Sequence, residues 1–150
     1  MTPTLIIDTR EPDPHPWSAF WDLPFIRDTL STGDICLAGN PQVVVERKTA
    51  VDLVGCIGAH RERFERELRR ASHLASFAVV VNSSFAELLL QRGELHQNAI
   101  VGTLAAWQRR YRMPFIFAGN DSLAADFTLR FLKHPLQEAE RLLKLTAGNA

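Results

Sequence analysis

No apolar run in this chain approaches the ~20 residues that a membrane-spanning helix needs, so no span is expected. The opening, MTPTLIIDTREP, lacks a basic stretch followed by a long apolar core, and no export signal is expected. Cysteine is scarce. Cys36 and Cys56 are too few for a zinc site on their own, and without an export signal they read as free thiols of a cytoplasmic protein. The Gly-rich phosphate loops GxGxxG and GxxxxGK(S/T) are both missing, so no nucleotide cofactor is expected. Net charge is missing too. The 17 basic and 17 acidic residues cancel, which argues against a protein that grips nucleic acid by charge alone.

What is present is an ordinary globular balance. The 150 residues are 46% hydrophobic and 23% charged, which fits one domain spanning 1–150. A chain of this length buries roughly 70% of its unfolded surface and needs no staples. The zero charge hides an asymmetry. Residues 1–52 hold eight acids against four bases, so the other 98 hold 13 bases against nine acids. An acidic focus in a mildly basic body could hold a cation beside a polyanion, and chance gives splits of this size as well.

Thr4–Asp8 (TLIID) reads as a short apolar strand ending in an acid. Residues 9–24 hold four of the eight prolines and cannot be regular throughout. Phe25–Leu30 reads as a second strand. Asp34–Leu37 and Gln42–Lys48 read as a hairpin around Gly39-Asn40-Pro41. Thr49 then opens a helical region, with Asp52 three residues on as a capping partner and Gly58 as a candidate interruption. Ile57, Phe64, Leu68, Ala71 and Ala75 fall at helical spacing. Strands are expected at Phe77–Val81 and Pro114–Ala118. Helices are expected at Ser84–Arg92, Asn98–Arg112, Ser122–Lys133 and Leu136–Leu145, with a fraying tail. The order implies an α/β or α+β sandwich with a mixed sheet.

The chemistry concentrates in VVVERKTAVDL, residues 43–53. Three valines ask for a buried strand, and three ionised side chains follow with no turn between. In a hairpin centred on Asn40, Leu37 lies opposite Val43, Ile35 opposite Val45 and Asp34 opposite Glu46. Opposite side chains share a face, and Lys48, two residues on, shares it too. Arg47 points the other way. Facing carboxylates repel unless a cation sits between them. Lys48 could serve, and Mg²⁺ suits hard oxygen ligands better. Asp, then Glu-x-Lys on a neighbouring strand, is an arrangement of metal-dependent nucleases.

IIDTREP (6–12), GD (33–34) and VERKTAVDL (45–53) together resemble the nuclease domain of the XPF family of structure-specific DNA endonucleases. That family's signature is GD, a gap, then ERK, three residues and D. Here it is met by Gly33-Asp34, Glu46-Arg47-Lys48 and Asp52, with Asp8-Thr9-Arg10-Glu11 upstream. HRERFERELRR and FAVVVN also look like the family's following helix and strand, so the resemblance covers about residues 4–133. It implies an α/β restriction-endonuclease-like mixed β-sheet flanked by α-helices. It implies a Mg²⁺- or Mn²⁺-dependent endonuclease acting on DNA, as a homodimer or with a partner subunit. Asp34 and Glu46 would bind the metal with Asp8 in support, and Lys48 would be the catalytic lysine. Arg47 and Glu11 fall at catalytic motif positions, with Arg10 and Asp52 supporting. Tandem helix-hairpin-helix modules, which such enzymes carry after the nuclease domain, have no match in this sequence. A compact stand-alone domain is the expectation, with 134–150 as its C-terminal helix and tail.

Plainer accounts stand beside these. Asp52 also reads as a helix cap, Glu46 with Lys48 as a surface ion pair, Asp8 as a strand end, and Arg10 with Glu11 as a local pair. Arg61 and Arg63 are candidate DNA contacts on a helix that the interleaved acids make equally a salt-bridged, solvated face. Arg109, Arg110 and Arg112 have no nearby acids and form the better unpaired basic cluster. Trp17, Phe20 and Trp21 read as core or contact residues ahead of base-stacking ones. His15 receives no role. A catalytically silent DNA-binding or assembly module is the rival reading, against which Asp34, Glu46 and Lys48 are all retained.

Overall fold

A computed structural model describes residues 2–149. Six strands form one mixed sheet: β1 (Leu5–Asp8), β2 (Phe25–Asp28), β3 (Ile35–Leu37), β4 (Asn40–Lys48), β5 (Ser76–Val81) and β6 (Phe115–Phe117). Their order is β2-β1-β3-β4-β5-β6. β3 runs antiparallel to both β1 and β4, and the other neighbours are parallel. Five helices flank the sheet: α1 (Ala50–Ile57), α2 (Arg61–Ala71), α3 (Phe85–Leu90), α4 (Gln97–Tyr111) and α5 (Asp121–Gly148). This is the mixed sheet with flanking helices that the sequence implied.

Two apolar cores sit on opposite faces of the sheet, as strand alternation demands. Val44, Val79 and Val81 pack on one face with Leu53, Phe64, Leu68, Ile100 and Trp107 of α1, α2 and α4. Val43, Val45 and Val80 pack on the other with Ala124, Ala125 and Leu132 of α5 and with Trp17 and Trp21 of the proline-rich loop. The two tryptophans are core residues, and their indole N–H groups donate to Asp121 Oδ1 (2.8 Å) and the Ala125 carbonyl (3.0 Å). Phe20 is exposed.

Two expectations change. The hairpin pairs Ile35 with Val45 and Cys36 with Val44 as expected, but Leu37 pairs with Asn40 rather than Val43. A register shift between Cys36 and Leu37 lets Ala38-Gly39 make the turn, with Gly39 at φ 85°. Asn40 therefore starts β4. The C-terminal segment after β6 is one helix rather than two. α5 runs through Pro135 to Gly148. Proline removes one hydrogen bond and crowds the preceding turn, but Leu132 is buried just before it and anchors the helix. Gly58 does break the preceding helical region, separating α1 from α2.

Candidate active site

β1 and β4 both finish at the same end of the sheet, where β3 begins. Asp8, Asp34, Glu46 and Lys48 meet there in a cleft of about 550 Å³. Gly33 makes the approach to Asp34 possible. Its φ is 81°, and a Cβ there would overlap Val44 Cγ1. The Asp34 amide then donates to the Val45 carbonyl (2.9 Å), and its own carbonyl accepts from the Asp8 amide (2.8 Å). Asp34 is thus stitched to both neighbouring strands. The Arg47 amide donates to Asp34 Oδ2 (2.8 Å) and fixes the carboxylate.

Glu46 is 5% exposed, and its Oε2 is buried without a hydrogen-bond partner. Burial, then the Glu11 charge, pushes Asp34 up to about 7. Burial, then the Asp34 and Glu67 charges, pushes Glu46 well above its ordinary value. Lys48 Nζ lies 3.3 Å from Glu46 Oε1. Burial works against the Lys48 ammonium, but the acidic groups around it, Glu46 first, together outweigh burial and keep the group charged.

Asp8 has a full set of protein donors. Arg10 Nε and the Arg10 amide reach Oδ2 (2.8 and 3.0 Å), and Arg10 Nη2 and the Leu30 amide reach Oδ1 (3.2 and 2.9 Å). Burial raises its carboxyl, but these bonds outweigh it and hold the group below its ordinary range. Arg10 also bonds the Leu30 carbonyl and stays largely exposed on the cleft wall. Thr49 Oγ1 accepts from the Asp52 amide (3.1 Å), so Asp52 sits in the cap of α1.

Arg47 takes the opposite face. Its guanidinium grips Glu11 with Nε to Oε1 and Nη2 to Oε2, each 2.9 Å. His15 Nε2 adds a 3.3 Å contact to Glu11 Oε1. The Trp17 amide donates to His15 Nδ1 (3.1 Å), so Nδ1 is unprotonated and the Nε2 hydrogen faces Glu11. Burial raises Glu11, but His15 and Arg47 outweigh it and hold it below the usual range.

Arg63, with Glu67 and Arg70, lines the opposite wall of the cleft. Arg61 turns away from it, bonding Glu65 (3.0 Å) and Thr103 (2.9 Å). Arg110 and Arg112 line a separate hollow beside Ser76, at the other end of the sheet, and Arg109 lies in the same last turn of α4. Sequence reasoning gave His15 no role and read Glu67 and Arg70 as part of a solvated, salt-bridged face ahead of a DNA contact. The i,i+4 spacing of Glu11 and His15 was a signal for the first. The run 63, 67, 70 on one helical face was a signal for the others.

The donor set fits a hard divalent ion. Among the described residues, no group of three His, Cys, Asp or Glu side chains is arranged to hold a metal. A buried Glu46 with an orphaned oxygen and a half-buried Asp34, both with raised carboxyls, still offer what Mg²⁺ takes from a protein. Such ions keep several waters and use one or two carboxylates together with substrate phosphates.

The family model of the ERCC4 domain matches residues 7–131. The chain belongs to the ERCC4 domain family, the family of structure-specific DNA nucleases related to XPF. Among solved structures it is similar to XPF from Aeropyrum pernix in complex with DNA, with TM-score 0.71, 18% identity, and 91% of this chain and 66% of that chain covered. It is similar also to XPF from Aeropyrum pernix, with TM-score 0.70, 17% identity, and 95% and 70% covered. The chain thus spans about two thirds of those chains. These likenesses show the restriction-endonuclease-like fold. Comparison with curated proteins found no significant match.

Proposed function

We propose that this chain is a Mg²⁺- or Mn²⁺-dependent endonuclease that hydrolyses DNA phosphodiester bonds in branched, flapped or junction DNA, in repair or recombination, in the cytoplasm. The observation that carries the reading is the Asp34–Glu46 pair, a half-buried and a buried carboxyl with an orphaned oxygen beside a charged lysine.

Asp34 and Glu46 hold the ion, and Asp8 supports the site by fixing Arg10 on the cleft wall. When bound, a divalent cation supplies Lewis acidity at the scissile phosphate and makes nearby water more acidic. Lys48 places a positive charge where negative charge develops on the phosphoryl oxygens. Arg10 and Arg63 line the cleft and suit phosphates flanking the cut. Arg47 and Glu11 act behind the site, through the amide that orients Asp34. Arg109, Arg110 and Arg112 suit a DNA arm that passes beyond the cleft, and Arg61 serves α2 and α4 first.

The chain works as a homodimer or with a partner subunit in this reading. The exposed leucines Leu136, Leu142, Leu143 and Leu145 on α5 support it, and light scattering tests it.

Purified protein incubated with labelled fork, flap, junction and linear DNA tests the activity. The expected result is cutting with Mg²⁺ or Mn²⁺ that EDTA abolishes, strongest on branched substrates. Binding of DNA without a metal-dependent cut on any of them would favour a silent binding module instead.

A further inference from the structure

Lys48 is a long, flexible side chain, and its usefulness depends on where Nζ is held. Three groups surround it. Glu46 Oε1 lies 3.3 Å away. The Cys56 thiol on α1 is a neighbour whose ionisation burial opposes and the Lys48 charge favours. The third is aromatic: Nζ lies over the Phe64 ring, 4.9 Å from its centroid. A ring face carries negative potential and attracts a cation, most strongly where water is excluded. Lys48 is 16% exposed and Phe64 only 3%, so little water competes.

The ring itself has no freedom to turn away. Phe64 meets Trp107 edge-on, with centroids 5.4 Å apart at 63°. Trp107 is anchored through its indole N–H to Glu65 Oε1 (3.2 Å) and is covered by the Arg61 guanidinium, 5.4 Å from its ring. Arg61 in turn bonds Glu65 and Thr103. The charged stretch of α2 thus turns one aromatic face toward the end of β4.

We propose that Phe64 is a positioning residue for Lys48: its ring face confines the ammonium beside Glu46, at the floor of the cleft. The proposal rests on the nuclease reading for its consequence in catalysis, but the contact itself does not.

The test replaces Phe64 with 4-fluoro-, 3,5-difluoro- and 3,4,5-trifluorophenylalanine, which keep the shape of the ring and drain its face progressively. On DNA with Mg²⁺, kcat should fall stepwise by about tenfold over the series, with KM and Tm little changed. Equal kcat across the series would leave Phe64 as core packing and overturn the proposal. A second readout needs no activity. In protein carrying ¹³Cε-lysine, the Lys48 methylene protons should lie upfield through the ring current, and Phe64→Leu should return them to ordinary positions. Ordinary positions in the unaltered protein overturn the proposal whether or not DNA is cut. Upfield protons in a protein that cuts nothing would support the contact and sink the nuclease reading alone.

Discussion

Arg47 and Glu11 form a two-pronged ion pair across 36 residues of chain, on the sheet face opposite Lys48. The pair joins the proline-rich loop to β4 directly behind Asp34. Both side chains are nearly buried, so removing one strands the other. Arg47→Ala should destabilise the protein by roughly 3 kcal/mol, and Arg47→Lys should recover little, because an ammonium cannot match both oxygens. Urea melts of the three proteins check this; an unchanged midpoint would mean that the pair carries no weight.

The raised carboxyls set a pH dependence. Asp34 titrates near its ordinary 3.8 when unfolded and at about 7 when folded. Between those values the folded chain holds more protons, so metal-free stability should fall as pH rises from about 4 to 7, and Glu46, also raised, adds to the fall. Asp8 and Glu11 act in the opposite sense, but their folded values are lowered, so they matter only at more acidic pH. Mg²⁺ should raise Tm more at pH 8 than at pH 5, because binding the ion offsets the repulsion of the ionised pair. Glu46→Gln should flatten the pH slope and abolish the Mg²⁺ effect. Calorimetry at both pH values, with and without Mg²⁺, reads all of these.

Lys48→Ala should lower kcat by about 100-fold or more while leaving the fold intact, since it removes a charge placed for the developing phosphoryl anion. Full activity in a folded Lys48→Ala protein would disprove its role. Single-turnover cleavage at saturating enzyme separates this from weaker DNA binding.

Gly33→Ala should destabilise the protein by roughly 2 kcal/mol or more. The residue is held at φ 81°, and the new Cβ meets Val44. Activity should fall further than stability, because Asp34 follows directly. A Tm within a degree of the unaltered protein would contradict the geometry.

The sequence made the strands legible where β-branched runs sit between turn residues. TLIID, VVVERK, FAVVV and PFIFA lie in or around β1, β4, β5 and β6. The shared face of Asp34, Glu46 and Lys48 followed from alternation and hairpin register alone. The partner of Arg47 did not, because Glu11 reaches it through an irregular loop that has no period to read. Nor did the continuity of α5, because Pro135 looks like a stop and only the packing of Leu132 keeps the helix going. Phe64 read as core, which it is. Its contact with Lys48 depends on the packing of α2 over the sheet, a tertiary fact that helical spacing does not contain.

The register shift between Cys36 and Leu37 lies at the turn end of the hairpin, away from the acids. Cys36 and Ile35 keep the register with β4, and the Asp34 amide is still tied to the Val45 carbonyl. The hairpin therefore has a slack end and a taut end. Residues gained or lost near Gly39 during divergence would be absorbed at the slack end as a different loop, and the spacing of the two carboxyls would survive. A change in the length of the gap between Gly33-Asp34 and Glu46-Arg47-Lys48 is then tolerable for a mechanical reason: length can drift there without the chemistry noticing.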